Sequence, residues 1–238
     1  MASMPPVALG VILCLAFLVI LLLRNPLEKY FVLPAVEPAQ PKRQFAVDLC
    51  LCLIAGVLGN AANMIWFDIP VYSGGSLMIG CLIAGFFIAL DTALARERFV
   101  IKEAVALNNE LPPPARLYSM TKKFSLVALS VTVFISIVFT LVFSRDIVWL
   151  SQIEKTEAAL SQAQLSIAYE IGFVMVVILA MVVNLIISYS RNLKFLFQNE
   201  TRILERVTHG DLSKKVPVAT NDEFGIIAGH TNSMIDGL

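Results

Sequence analysis

Asp48, Asn60, Asn63 and Asp91 are carboxylate and amide side chains set in the second and third apolar runs of this chain. Inside a bilayer such groups are expensive, and they mark either a functional site or close helix packing. Asn60 and Asn63 lie about one helical turn apart and share a face. With Trp66 nearby they line a small polar cleft suited to a ligand or an ion. Asp48 and Asp91 fall toward the opposite membrane surface, where Lys42, Arg43, Arg96 and Arg98 can neutralise them. Charge pairing there is favoured over proton transfer. A packing explanation stands beside the cleft: Ala55 and Gly59, like Gly80 and Ala84, are small residues four apart that let neighbouring helices approach closely. Gly56 and Gly85 sit in the same two runs.

Other chemistry is absent from the pattern. His209 and His230 sit at expected helix ends, and Cys14, Cys50, Cys52 and Cys81 fall inside apolar runs with no C-x-x-C spacing, so they read as small buried residues. Asp222-Glu223-Phe224-Gly225 is no kinase element, because neither a glycine-rich phosphate loop nor an HRD sequence accompanies it. With no P-loop, triad, zinc motif or nucleic-acid module, the chain itself is expected to be no enzyme, to hold no cofactor or metal and to bind no nucleic acid.

The elements that must position these residues are membrane spans. The chain is 58% hydrophobic and 15% charged, and its apolar runs approach twenty residues, which excludes a soluble globule. Five spans are expected, at about 7–23, 45–67, 76–95, 124–143 and 171–190. Arg24, Lys29, Lys42 and Arg43 follow the first, and Arg96, Arg98, Lys102, Arg116, Lys122 and Lys123 follow the third. The positive-inside rule makes those loops cytoplasmic, with the N-terminus outside a cell (inner) membrane and the C-terminus within. The stretch ARERFVIKEAVALNNE should prolong the third span into the cytoplasm, and Ser151 with Glu154 has the spacing of a capping box for a short outer helix.

Beyond the last span the chain changes character. It runs from Gly172 without proline or glycine into RNLKFLFQNETRILERV, where Leu193, Leu196, Phe197, Ile203, Leu204 and Val207 recur at helical spacing. His209-Gly210-Asp211 supplies a helix stop, and Pro217 bars a helix in the connector. A second helix should begin at Asn221 or Asp222, with Asn221 as cap and acidic residues in its first turn. Its seam is Phe224, Ile227, Thr231, Met234 or Ile235, and Leu238. The connector is long enough to let the two helices lie parallel. Their narrow seams need a second copy, which closes a parallel four-helix bundle in a homodimer. Glu200 and Thr231, polar on these seams, are expected to keep two packings close in energy.

Residues 191–238 resemble the HAMP family of membrane-proximal relays through Gly210-Asp211-Leu212, Val216-Pro217-Val218, Asp222-Glu223-Phe224-Gly225 and Asn232-x-Met234. They depart from it at Leu196, where proline is common, and at Glu200 and Thr231. The resemblance implies a signal relay. The wording DEFGIIAGHTNSMIDGL after a multi-pass region is also similar to the relay of membrane-bound class III adenylate or guanylate cyclases, which implies a nucleotide cyclase as an output domain outside this chain. The expectation is therefore an all-α protein: a transmembrane bundle over 1–190 and a relay over 191–238, together the sensing and transmitting half of a receptor. Its partners would be membrane lipid, a second copy, and an output domain or partner signalling protein. The alternatives are a small transporter or channel with a dimerising element, against which few intramembrane charges and no paired broken helices weigh, and a passive dimerising anchor.

Overall fold

The computed structural model describes residues 6–36, 39–67, 71–107, 119–152, 157–216, 218, 220 and 222–238, with side chains except at 6–10, 12, 13, 17, 63, 66, 67, 71–74, 76, 107 and 157–159. Six α-helices account for most of them: α1 (Pro6–Leu27), α2 (Gln40–Phe67), α3 (Val71–Leu107), α4 (Met120–Gln152), α5 (Glu157–Thr208) and α6 (Glu223–Asp236). The described residues contain no strand.

Four stretches are long and apolar enough to cross a membrane: Gln40–Ala62, Leu77–Ala106, Met120–Gln152 and Leu160–Thr208. They coincide with the second to fifth expected spans. The first expected span falls within α1, whose 22 residues rise about 33 Å. Pro26 lies inside α1 and cannot donate a backbone hydrogen bond. Directly after it the ladder widens to a π-helical turn, Glu28–Val32, closed by Leu33 N–H on Glu28 O at 3.0 Å. Pro41 sits in the first turn of α2, where a missing N–H costs nothing.

The chain forms two compact units, Met1–Met120 with Ile187–Leu238, and Thr121–Ile186. In the first, α2 and α3 form a tight hairpin with α1 against α2. The closest approach is made at Gly56 and Gly85; of the expected small residues, Gly59 meets Leu77 of α3 at ordinary contact distance and Gly80 meets nothing. A Cβ on Gly85 would stand 2.6 Å from Cys52 Cβ, and one on Gly56 2.9 Å from Cys81 Cβ, whereas one on Gly80 would meet nothing within 4 Å. Phe45 and Phe86 add an edge-to-face contact at 5.9 Å.

In the second unit, Thr132, Ser136 and Thr140 return their hydroxyls to carbonyls one turn back in α4, at 2.8–2.9 Å. That satisfies polar groups which would otherwise be costly in lipid. Arg145 pairs with Asp146 at 3.4 Å and with Glu170. The expected outer helix does not stand apart. Ser151 lies inside α4 and donates to Val148 O at 2.7 Å instead of capping, and α5 begins at Glu157; Glu154 lies outside the described residues. The helix-forming sequence simply extends α5 backward, so that its 52 residues rise about 78 Å.

The hairpin geometry yields a contrast. Gly85→Ala should cost about 1–3 kcal/mol through overpacking against Cys52, while Gly80→Ala should be neutral or slightly stabilising through helix propensity. Thermal unfolding in detergent measures both. Equal effects at the two positions would mean that the hairpin packs on other faces.

Candidate functional site

The C-terminal third of α5 and the whole of α6 form a helix pair. Phe197 meets Phe224 edge-to-face at 5.0 Å, Glu200 accepts the Thr231 hydroxyl at 2.7 Å, and Ile203 clusters with Val216, Ala228 and Ile235, with Val207 and Val218 packed against them. Contacts advance in the same direction along both helices, so the pair is parallel. The connector Val216 and Val218 supply apolar side chains to its core. Burying each such side chain contributes about 1.5–3 kcal/mol.

Polar details fix the connector. α5 ends at Thr208, and Gly210 adopts φ +81°, a left-handed turn that glycine makes without strain. Ser213 donates to Asp211 Oδ1 through its hydroxyl at 2.5 Å and its N–H at 3.1 Å. Those bonds, with Arg206 and Lys214 nearby, hold the Asp211 carboxyl below its ordinary pKa. The Asn232 amide takes both backbone groups of Val216, accepting its N–H at 2.7 Å and donating to its carbonyl at 2.8 Å. Asp222, not Asn221, is the cap on which structure can be read: its side chain accepts from Phe224 N–H at 3.3 Å. Any side chain on Gly225 would strike the Thr220 carbonyl, which explains the glycine. Glu223 reaches the start of α4, accepting from Ser119 Oγ and Met120 N–H, each at 2.6 Å. Leu212 and Met234 are exposed, and Pro217 and Asn221 lie outside the described residues.

Above this pair, α3 grips α5. Arg98 donates to the Ser188 carbonyl at 3.0 Å, the Ser188 hydroxyl at 3.1 Å and Asn192 Oδ1 at 2.6 Å. Asn192 returns its amide N–H groups to Glu97 Oε2 at 2.8 Å and the Leu94 carbonyl at 3.2 Å. Ser188 is 3% and Asn192 4% exposed, so these bonds are shielded from water. One turn on, Phe195 and Leu196 pack on Ile101 and Ala104 of α3. The prolonged α3 expected from the sequence is thus present, and Leu196, unusual for the resembled family, has a partner there.

The polar residues of the membrane runs do not converge on one site. Asp48 is buried, but its cation is Arg24 (Nε to Oδ1, 3.2 Å), not the expected Lys42, Arg43, Arg96 or Arg98. Gln44 Nε2 at 2.8 Å and Thr92 Oγ1 at 2.5 Å complete its shell, which ties α1, α2 and α3 together. Gln44 Oε1 is buried without a partner among the described residues. Arg96 instead donates to Gln40 Oε1 at 2.9 Å and pairs with Glu28 at 3.5 Å. Asp91 is half-buried and joins no hydrogen bond or ion pair among the described residues. Asn60 is twelve positions from Asp48 on one helix, about 18 Å away; the side chains of Asn63 and Trp66 lie outside the described set. Sequence reasoning missed Arg24, Gln44, Thr92, Ser188 and Asn192. Their one visible signal was position, as polar residues at or near the ends of apolar runs.

The MASE10 family model, a membrane-associated sensor domain, matches residues 1–173. The chain belongs to that family. It is also 27% identical over 175 residues to a cyclic di-GMP phosphodiesterase of Vibrio cholerae, a match covering 72% of this chain and 35% of that protein. The matched stretch is thus about a third of that relative's length. No solved structure matches. MASE10 membership and the apolar helices make the chain a membrane sensor of a signal-transduction protein. The α5–α6 pair lies beyond the matched residues.

The Glu200–Thr231 bond is a polar tie inside an apolar interface. Thr231→Val should loosen the pair by about 1–3 kcal/mol, because the carboxylate loses its donor. Combining it with Glu200→Leu should restore or exceed the original stability. Amide exchange within α6 reads this as a rise in rate for the single variant and a return for the double.

Proposed function

We propose that this MASE10 chain is the sensing and transmitting half of a receptor, and that residues 191–238 act as a HAMP-type relay in a homodimer. The observation that carries the reading is the continuity of α5, one helix from a membrane-spanning run into the helix pair, held by Arg98 of α3 where it leaves that run. A shift in the membrane bundle would move α5 as a rod, and the pair would convert that movement into one of two packings.

Dimerisation is supported by what the pair leaves uncovered. Ile203, Val207, Ala228 and Ile235 are spent within the chain. Phe197 and Leu204, and Ile227, Met234 and Leu238, remain exposed at heptad spacing. A second copy would cover both stripes and complete a parallel four-helix bundle. The basic loops support a cell (inner) membrane orientation with the N-terminus outside and the relay in the cytoplasm. We take the output to be an enzyme of cyclic-nucleotide signalling, in the same polypeptide or in a partner. The HAMP-proximal wording supports a nucleotide cyclase, and the name of the Vibrio relative supports an enzyme acting on cyclic di-GMP. On this reading residues 1–238 catalyse nothing themselves.

The test is a helical phase experiment. With a reporter enzyme fused after Leu238, residues are inserted between Asn192 and Leu193, leaving the Arg98 contacts intact. One residue turns the downstream helix about 100°, and seven nearly restore its face. Output should change strongly for one and weakly for seven. A flat response across insertions of one to four residues would overturn helix-borne transmission through α5 and make the passive anchor the better reading.

A further inference from the structure

A cavity of about 160 Å³ lies between α1 and α2, and every residue lining it is apolar; Leu15, Val19 and Leu23 form much of one wall, Leu51, Ala55 and Gly59 much of the other. That volume matches apolar cavities of about 150 Å³ that take up benzene-sized guests. Its shape differs. The α1 wall runs from Leu15 to Leu23, eight residues or about 12 Å. Ala55 and Gly59, one turn apart, keep the α2 wall low, so the space is a narrow trough along the helix pair.

One end of the trough is charged. Arg24 follows Leu23 directly, and Asp48 precedes Leu51 by one turn, with Arg24 Nε on Asp48 Oδ1 at 3.2 Å. Only Nε is engaged among the described residues, and the Arg24 side chain is 35% exposed. A guanidinium carries five donors, so the Nη edge remains able to take a second carboxylate end-on. Because Arg24 adjoins a lining residue, the complementary anion must sit at the very end of an apolar chain. A phospholipid interposes glycerol and phosphate between chain and charge, and an alcohol or sterol leaves the guanidinium edge unmatched.

We propose that this trough binds the anion of a straight-chain fatty acid of medium length, the chain along α1 and α2 and the carboxylate on the Nη edge of Arg24. The binding stands on the trough and the Arg24 edge beside it. Its role as a stimulus rests on the signalling function proposed above, and the path is short: Arg24 shares Asp48 with Thr92 of α3, and α3 carries Arg98 to α5.

The full chain, fused to the reporter and held in phosphatidylcholine nanodiscs, is photolabelled with dodecanoate bearing a terminal diazirine. Labelling should saturate, map to residues 15–23 or 51–62, and yield to competing dodecanoate but not to dodecanol. Ala55→Leu fills the trough without touching the ion pair and should abolish labelling. Arg24→Gln should weaken dodecanoate roughly tenfold or more, as the loss of a charge-assisted pair implies, and Arg24→Lys should recover part of it. Equal competition by dodecanol, labelling elsewhere, non-saturable labelling as expected of a trough held by phospholipid tails, or indifference to Ala55→Leu each overturns the site. Saturable, carboxylate-selective labelling with an unresponsive reporter keeps the site and overturns the signalling reading instead.

Discussion

The grip of α3 on α5 is the constraint on which the rest of the chain depends. Arg98 and Glu97 take both ends of the Asn192 amide, and Arg98 also takes Ser188, in a setting nearly closed to water. Hydrogen bonds to charged groups contribute about 1.5–3 kcal/mol each, and an orphaned partner costs its full desolvation. A long helix with an apolar surface has little of its own to fix its rotation or its depth in a bilayer. These directional bonds fix both at the point where α5 leaves its apolar run. The Phe195 and Leu196 contacts just below extend the hold.

Polar groups within the membrane runs serve the same purpose. Asp48 joins α1 through Arg24 and α3 through Thr92, so three helices share one carboxylate. A buried charge that loses its partner is strongly destabilising, which keeps such a junction from slipping. The result is a polar chain of custody from α1 to α5, with apolar packing between its links. At its far end the helix pair holds one polar tie, Glu200 to Thr231, in an apolar interface. Thr231 is 8% exposed.

Periodicity carried the helices, because 3.6-residue patterns and apolar length are local properties. The uninterrupted α5, the stop at Gly210 and the acidic start of α6 are all legible that way. Glu200 and Thr231 were each legible as misfits on a seam. Their bond was not, because it spans 31 positions and no spacing rule joins two helices. The same reason hid Arg98 with Asn192. The hairpin shows a subtler limit. Ala55 fits the small-residue rule as well as Gly56 does, but Gly56 packs on Cys81 of α3, while Ala55 lines the trough toward α1 and Gly59 borders both the trough and Leu77 of α3. Adjacent positions on a helix differ by about 100° in direction, and sequence alone does not say which way the neighbour lies. Membership of MASE10 rests on similarity along residues 1–173.

We propose that the membrane bundle sets the state of the α5–α6 pair through Arg98, whose hydrogen bonds among the described residues go to Ser188 and Asn192 of α5. Hydrogen exchange of the full chain in nanodiscs tests it directly, comparing the original protein with Arg98→Ala. The account predicts faster exchange at residues 188–196 and also a changed exchange pattern through residues 203–235, well away from the substitution. Exchange altered only around 188–196, with residues 203–235 unchanged, would contradict it.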